Sequence, residues 1–228
     1  MRNTVRTIVA LFTKILPIDL LKNILGLSVL GTYIESIKKA PFFKIREELW
    51  KHVFKDFEDQ KIAVLEFGVY KGYSINYLSS LNFNQESLFV GFDSFEGLPK
   101  EWPNFFRRFP AGHFGVNGEL PQISDDRISF LKGWFSETLC SYLDSVDFGN
   151  YQKLVVHLDA DIYGSTLYVL TQLGDAKKEI TIIFDELPGE EARAFSDFLD
   201  AFGGEVEFLG SADGTKSCPK QVIVKYTK

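Results

Sequence analysis

The sequence is poor in the residues that staple small secreted folds. It holds two cysteines, Cys140 and Cys218, in different surroundings and without the spacing of a metal or redox pair. That excludes a disulfide scaffold and points to free thiols in a reducing, cytoplasmic setting. A block of lysine or arginine is missing too. With 25 basic against 31 acidic residues and a net charge of -6, the chain carries no electrostatic footprint for nucleic acid, and a small-molecule partner is expected. Nor is there a long apolar run. Met1-Arg2-Asn3-Thr4-Val5-Arg6 followed by Ile8-Val9-Ala10-Leu11-Phe12 begins like a secretory leader. Lys14, Pro17, Asp19 and Lys22 interrupt it well before the roughly 20 apolar residues of a bilayer span, and no small-residue cleavage site follows. Internal repeats and low-complexity tracts are absent as well.

What the chain does have is apolar matter for one sizeable core, 45% of its residues, with 15% aromatic. This predicts one main domain over 59–228 and an N-terminal element over 1–58, a helical cap or dimerisation segment. Ile18 to Ile37 is strongly apolar with scattered polar positions. It reads as helices covering the core or a second copy of the chain, which would make the protein a homo-oligomer. The alternative is a helix lying on a membrane surface near a lipid-linked substrate, giving a peripheral membrane location.

From Lys61 onward, short apolar runs alternate with amphipathic stretches, the signature of βαβ units and a mainly parallel sheet. The runs are Ile62 to Phe67, Ser87 to Phe92, Ile128 to Leu131, Lys153 to Leu158 and Thr181 to Phe184. Helical spacing joins Ile75, Leu78 and Leu81, then Leu139, Tyr142 and Leu143, then Leu167, Leu170 and Leu173. After a last helix over Glu190 to Phe202, Glu205 to Leu209 and Gln221 to Tyr226 form two strands with no helix between them, so they close the sheet as an antiparallel edge hairpin. The fold class is therefore α/β, doubly wound and mostly parallel. One long irregular stretch, Ser94 to Asp126, carries Trp102, Phe105, Phe106, Phe109, Pro110 and Phe114. It reads as a lid or substrate wall, with a disordered insertion as the alternative.

Ligands of such sheets bind beyond the carboxyl ends of the strands. The first strand runs into Glu66-Phe67-Gly68-Val69-Tyr70-Lys71-Gly72 and a helix at Tyr73 or Ser74. Gly68 permits a tight turn and Gly72 a close backbone approach to a ligand. Tyr70 replaces the middle glycine of the dinucleotide motif and would crowd a pyrophosphate, so a nucleoside without phosphates fits better. Asp93, 21 residues after Gly72, lies near the offset at which a carboxylate meets ribose hydroxyls, followed by Ser94; a turn aspartate is the plainer reading. Trp134, after the third strand, is placed either to stack on an adenine or in ordinary core. The fourth strand ends in His157-Leu158-Asp159-Ala160-Asp161 and the fifth in Ile183-Phe184-Asp185-Glu186. If these strands are neighbours, Asp159, Asp185 and Glu186 converge, and either a pKa rises or a cation sits among them. Oxygen ligands suit magnesium, or manganese as a substitute; a solvated acidic loop is the alternative. His157 reads as a satisfied core histidine rather than a ligand.

Four stretches together resemble the macrocin O-methyltransferase (TylF/MycF-type) family: Val64 to Ser74, Phe92 to Pro99, Phe130 to Phe135, and Leu158 to Thr166. The match covers about Val64 to Phe198. The resemblance implies a Rossmann-like class I methyltransferase sheet, S-adenosylmethionine as donor, a magnesium requirement, and methylation of a hydroxyl, commonly on a sugar of a natural product. By that similarity Glu66, Gly68, Gly72 and Asp93 would contact the donor, with Tyr70, Ser74, Ser94, Trp134 and Asp159 beside them, and Asp159, Asp185 and Glu186 would hold the metal. Two departures stand out. Asp185-Glu186 replaces a usual pair of aspartates, and Lys177-Lys178-Glu179 replaces a Pro-Gly-Gly turn. Methyl transfer also needs a base, for which Asp159, Asp161 and, on the loop, His113 are candidates. A nicotinamide-dependent oxidoreductase would explain the glycine turn and Asp93 but not the later carboxylates. A non-catalytic module working through the apolar N-terminus is the third reading.

Overall fold

A computed structural model describes residues 4–7, 11, 16–104, 107–174, 176 and 179–228. The leader-like Ile8-Val9-Ala10, Phe12 and Lys14, the loop aromatics Phe105 and Phe106, and Lys177-Lys178 lie outside the described residues.

In chain order the elements are α1 (Ile18–Lys39), β1 (Phe42–Phe43), α2 (Arg46–Phe54), β2 (Ile62–Phe67), α3 (Tyr73–Ser80), β3 (Leu88–Asp93), β4 (Trp102–Pro103), β5 (Arg108–Phe109), β6 (Ile128–Lys132), α4 (Phe135–Leu143), β7 (Lys153–Leu158), α5 (Tyr163–Leu173), β8 (Glu179–Phe184), α6 (Ala192–Phe202), β9 (Glu205–Thr215) and β10 (Cys218–Thr227). The main sheet has the order β1-β9-β10-β8-β7-β2-β3-β6. Strands β6, β3, β2, β7 and β8 run parallel, β10 is antiparallel to both β8 and β9, and β1 joins the far edge alongside β9. This is the expected α/β sheet, mostly parallel with an antiparallel C-terminal edge.

Strand β2 lies at the centre, and all six of its residues are buried. A strand covered on both faces must read as a continuous apolar run, which Ile62-Ala63-Val64-Leu65 does. Alternation then divides the core. Leu65, Phe67, Val90, Phe92, Val156 and Leu158 pack with Leu139 of α4, Val169 of α5, Phe195 of α6, and Leu30 and Ile37 of α1. Ile62, Val64, Phe89, Val155 and Ile183 pack on the other face with Trp50 of α2 and Ile75 and Leu78 of α3. Helices on both faces of one sheet make it doubly wound.

Helix α1 is continuous over 22 residues, and its fit depends on glycine. A Cβ on Gly26 would stand 2.0 Å from the carbonyl oxygen of Gly189, in the turn Leu187–Glu191 that follows β8. The outer face of α1 leaves Ile18, Ile24 and Leu25 exposed. Among the described residues no helix is long and apolar enough to cross a membrane.

Two expectations shift. The closing strands are longer than read, extending through Ser211-Ala212 and Cys218. Gly210, Ser211 and Gly214 resemble a loop in sequence, yet Ser211 and Ala212 are buried, and a Cβ on Gly210 would lie 2.5 Å from Leu49 Cδ1. The stretch from Ser94 to Asp126 contains the short antiparallel pair β4–β5, locked by Trp102 stacked on Phe109 at 5.0 Å.

Candidate active site

A cavity of about 820 Å³ opens at the carboxyl ends of β2, β3, β7 and β8, within the size range of small-molecule sites. On one side the turn after β2 forms its floor. Gly68 has φ +95°, and a Cβ there would lie 2.0 Å from the carbonyl oxygen of Asp159. The close approach of the β2 and β7 ends therefore requires glycine. Gly72, at φ +78°, starts α3. Asp93 braces this turn: Oδ2 accepts from the Val69 and Tyr70 amides at 2.8 and 2.9 Å, and Oδ1 from the Phe95 amide at 2.7 Å. Three of roughly four acceptor positions on that carboxylate are thus taken. The geometry leaves it room for one further hydroxyl.

Behind the floor runs a buried polar line. The Ser74 hydroxyl donates to Glu66 Oε1 at 3.0 Å, and Glu66 Oε2 lies 2.9 Å from His157 Nδ1. His157 Nε2 is 3.9 Å from Asp185 Oδ1, too long for a hydrogen bond but close enough for charge attraction. Burial alone would lower the imidazole pKa; the carboxylates of Asp185 and Glu66 overcome it and push His157 up to about 10. His157 is a buried core histidine as expected, but it is satisfied on one side alone: Nδ1 meets Glu66, while Nε2 has no hydrogen-bond partner among the described residues.

On the opposite side, Asp159, Asp161, Asp185 and Glu186 all line the cavity. Burial, reinforced by Asp185 and Asp161, lifts the Asp159 carboxyl well above its ordinary range. Burial followed by Glu186 and Asp185 pushes Asp161 up to about 7, and Asp161 holds an unusual left-handed backbone, φ 59°. Asp185 behaves oppositely. Burial would raise it, but His157, Lys220 and Arg46 hold it below the usual carboxylate range. A further carboxyl, Glu191, lies wholly buried and is raised by burial and by Asp185, Asp159 and Asp161; its Oε2 accepts from the Glu186 amide at 3.2 Å.

These carboxylates do not make the expected metal cage. Among the described residues no three His, Cys, Asp or Glu side chains group as a metal site. Asp185 Oδ1 already accepts from Arg46 Nη1 at 3.0 Å and Gln221 Nε2 at 2.7 Å. Glu186 Oε1 accepts from Asn104 Nδ2 at 3.3 Å. The donor set suits a hard cation in chemistry, but Asp185 Oδ1 and Glu186 Oε1 are turned to protein partners.

The third wall comes from the aromatic stretch. Leu98, Trp102, Phe109 and Phe114 line the cavity with Asn104 and Arg107. Helix α1 holds this wall: Asn23 Nδ2 donates to the Pro103 carbonyl at 3.2 Å, and Asp19 pairs with Arg108 at 3.3 Å.

Of the residues singled out from sequence, the cavity gathers Gly68, Tyr70, Asp93, Ser94, Trp134, Asp159, Asp161, Asp185 and Glu186. Glu66, Gly72 and Ser74 do not line it. Glu66 is fully buried beneath the turn and bonded to Ser74, and Gly72 faces Pro121 and Ile123. His113 is also outside: it is exposed and packs on Phe109 and Phe114, 4.9 and 4.3 Å between ring centres. Sequence reasoning missed Arg46, Lys220 and Gln221. Lys220 and Gln221 arrive only because β10 runs antiparallel to β8 with Val222 opposite Phe184, a register that sequence alone does not set. Arg46 comes from the N-terminal element, where no motif marked it.

No family profile and no curated protein matches the chain, so the resemblance to the macrocin family rests on its motifs. Solved structures do align. The apo form of CmcI superposes with a TM-score of 0.51 at 14% identity, over 80% of this chain and 70% of that one. The O-methyltransferase from Bacillus cereus in complex with SAH gives a TM-score of 0.49 at 13% identity, over 88% and 91%. TomG, the O-methyltransferase from Streptomyces achromogenes involved in tomaymycin synthesis, in complex with SAM, gives 0.46 at 11%, over 80% and 79%. At such identities the likeness is one of fold, and the fold it supports is the α/β sheet, mostly parallel with an antiparallel edge, described above.

Proposed function

We propose that this chain transfers a methyl group from S-adenosylmethionine to a hydroxyl of a small molecule, an enzyme of the O-methyltransferase class. One observation carries the reading. The Gly68 turn, braced by Asp93, is packed against the backbone of Asp159, so a nucleoside subsite and a carboxylate subsite share one cavity. Tyr70 stands where a dinucleotide site needs glycine, with φ 52° and a partly exposed ring, which favours a nucleoside without a pyrophosphate. S-adenosylmethionine would supply an activated methyl group there. Asp93 would hold one ribose hydroxyl, Trp134 would stack on the adenine, and Gly68 would admit the donor's close approach.

The acceptor then belongs between the carboxylates and the wall of Trp102, Phe109 and Phe114. Apolar rings beside Asn104 and Arg107 suit a flat or glycosylated molecule with polar edges, and a sugar or polyphenol hydroxyl is the acceptor class we favour. Asp161 is the base. Lifted to about 7, it is matched to taking a proton near neutral pH. Aligning the acceptor oxygen with the methyl carbon is the larger part of the catalysis.

The test is binding before turnover. Isothermal titration should show S-adenosylmethionine binding and NAD failing to bind. Asp93→Ala should weaken the donor by about tenfold or more, the worth of a charge-assisted hydrogen bond, with an unchanged circular dichroism spectrum. Labelled donor is then incubated with sugar and polyphenol acceptors, with and without magnesium, and the labelled product identified. Equal donor affinity in the wild type and Asp93→Ala, or NAD binding instead, would refute the reading.

A further inference from the structure

The Asp185 carboxylate is encircled by groups from three separate elements. Arg46 of α2 donates to Oδ1, Gln221 of β10 donates to the same oxygen, His157 of β7 stands 3.9 Å away, and Lys220 of β10 places Nζ 3.8 Å from Oδ2. Arg46 is itself fixed, with its guanidinium 5.1 Å from the Trp50 ring centre and 5.6 Å from that of Tyr73. A divalent ion bound through Asp185 would sit roughly 2.0–2.6 Å from its oxygens. On the Oδ1 side that is inside the shell Arg46 and Gln221 fill, and on the Oδ2 side it faces the Lys220 ammonium, so an ion there would be repelled by an ammonium and a guanidinium.

Lys220 also has a free side. Its side chain is 48% exposed against 9% for Asp185, and it lines the cavity beside Asp159, Asp161 and Glu186. One end of the site therefore carries a positive charge that borders the space left for the acceptor. Building on the methyltransferase reading, we propose that transfer in this cleft is metal-independent, with the Lys220 ammonium, tethered by Asp185, supplying the positive charge that steadies the acceptor oxygen.

The step balances without a further reactant. The acceptor hydroxyl gives its proton to the Asp161 carboxylate while its oxygen bonds to the methyl carbon. The carbon–sulfur bond breaks, its electron pair stays on sulfur, and the donor leaves as a neutral thioether. Asp161 passes the proton to solvent, and Lys220 stays protonated, stabilising the charge that builds on oxygen.

Two measurements test this. In the first, Mn²⁺ is titrated into metal-stripped protein saturated with S-adenosylmethionine and followed by electron paramagnetic resonance. We expect no binding tighter than about 1 mM in the wild type and at least about tenfold tighter binding in Lys220→Met, because the repelling charge is gone. Wild-type binding tighter than about 1 mM, weakened by Asp185→Asn, overturns the proposal. In the second, turnover of the acceptor identified by the labelling screen is followed in EDTA. It should stay within about twofold of the value with magnesium, fall about 100-fold in kcat in Lys220→Met with donor KM little changed, and recover to within about tenfold in Lys220→Arg. Loss of turnover in EDTA, or an unaffected Lys220→Met, overturns it. Donor titration separates the two levels. If S-adenosylmethionine binds the stripped protein and turnover still needs metal, only the lysine proposal falls; if it does not bind, the methyltransferase reading falls and takes this one with it.

Discussion

Replacing His157 with leucine should cost the fold far more than a surface histidine would. The imidazole is wholly buried and lies between two carboxylates, 2.9 Å from Glu66 and 3.9 Å from Asp185. Leucine preserves bulk but strands Glu66, whose remaining side-chain partner is the Ser74 hydroxyl. Breaking a buried pair by removing one partner costs about 3–5 kcal/mol. For a chain of this size each kcal/mol moves Tm by about 2–4 °C, so His157→Leu should melt about 6–20 °C lower. The pH dependence identifies the charge. The folded-state pKa is raised above the ordinary 6.5 to about 10, so this stabilisation is fully present below pH 6.5 and lost as pH rises through 10. Thermal melts of both proteins at pH 6, 8 and 10 should show a gap that narrows with pH. A gap below about 2 °C, or one that does not narrow, would mean that His157 is neutral and that the buried line is ordinary packing.

Gly68→Ala should destabilise by about 2–4 kcal/mol, combining a left-handed backbone with an overlap against the Asp159 carbonyl. The urea midpoint should drop and donor affinity fall with it, and an unchanged midpoint would show that the β2 and β7 ends are not in contact. Asp161→Asn should lower kcat/KM by about 10²–10⁴. In the wild type the base works only when ionised, so kcat/KM should rise with pH through about 7; that limb should vanish in the variant, and its persistence would assign the proton to another group.

The sheet was readable because its central strands are covered on both faces and must therefore be largely apolar. Ile62 to Phe67 and Lys153 to Leu158 fall on β2 and β7 without a shift. The glycine turn was readable because a backbone at positive φ restricts residue choice, and Asp93 because it ends the next strand at the offset typical of doubly wound sheets. Less legible were features set by tertiary neighbours. Glu66 looks like a ligand residue in sequence, but its side chain points beneath the turn to Ser74 and His157. The carboxylates at the ends of β7 and β8 were rightly placed near one another, while the cations answering them lie far away in sequence, at Arg46 and Lys220. Charge compensation across 139 residues, as between Arg46 and Asp185, leaves no local pattern. The length of β9 was missed because small residues chosen for burial look the same as small residues chosen for turning.

Helix α1 meets the elements beside the cleft at two joints of unequal strength. At one, Gly26 lies flush against the Gly189 carbonyl with no room for a methyl group. At the other, one hydrogen bond from Asn23 and one exposed ion pair from Asp19 hold the β4–β5 pair, and an exposed ion pair adds little to stability. Asn23 and Asp19 thus support the aromatic wall without lining the cavity, so on the proposed function substitution at either would reshape the acceptor side while leaving the carboxylates in place.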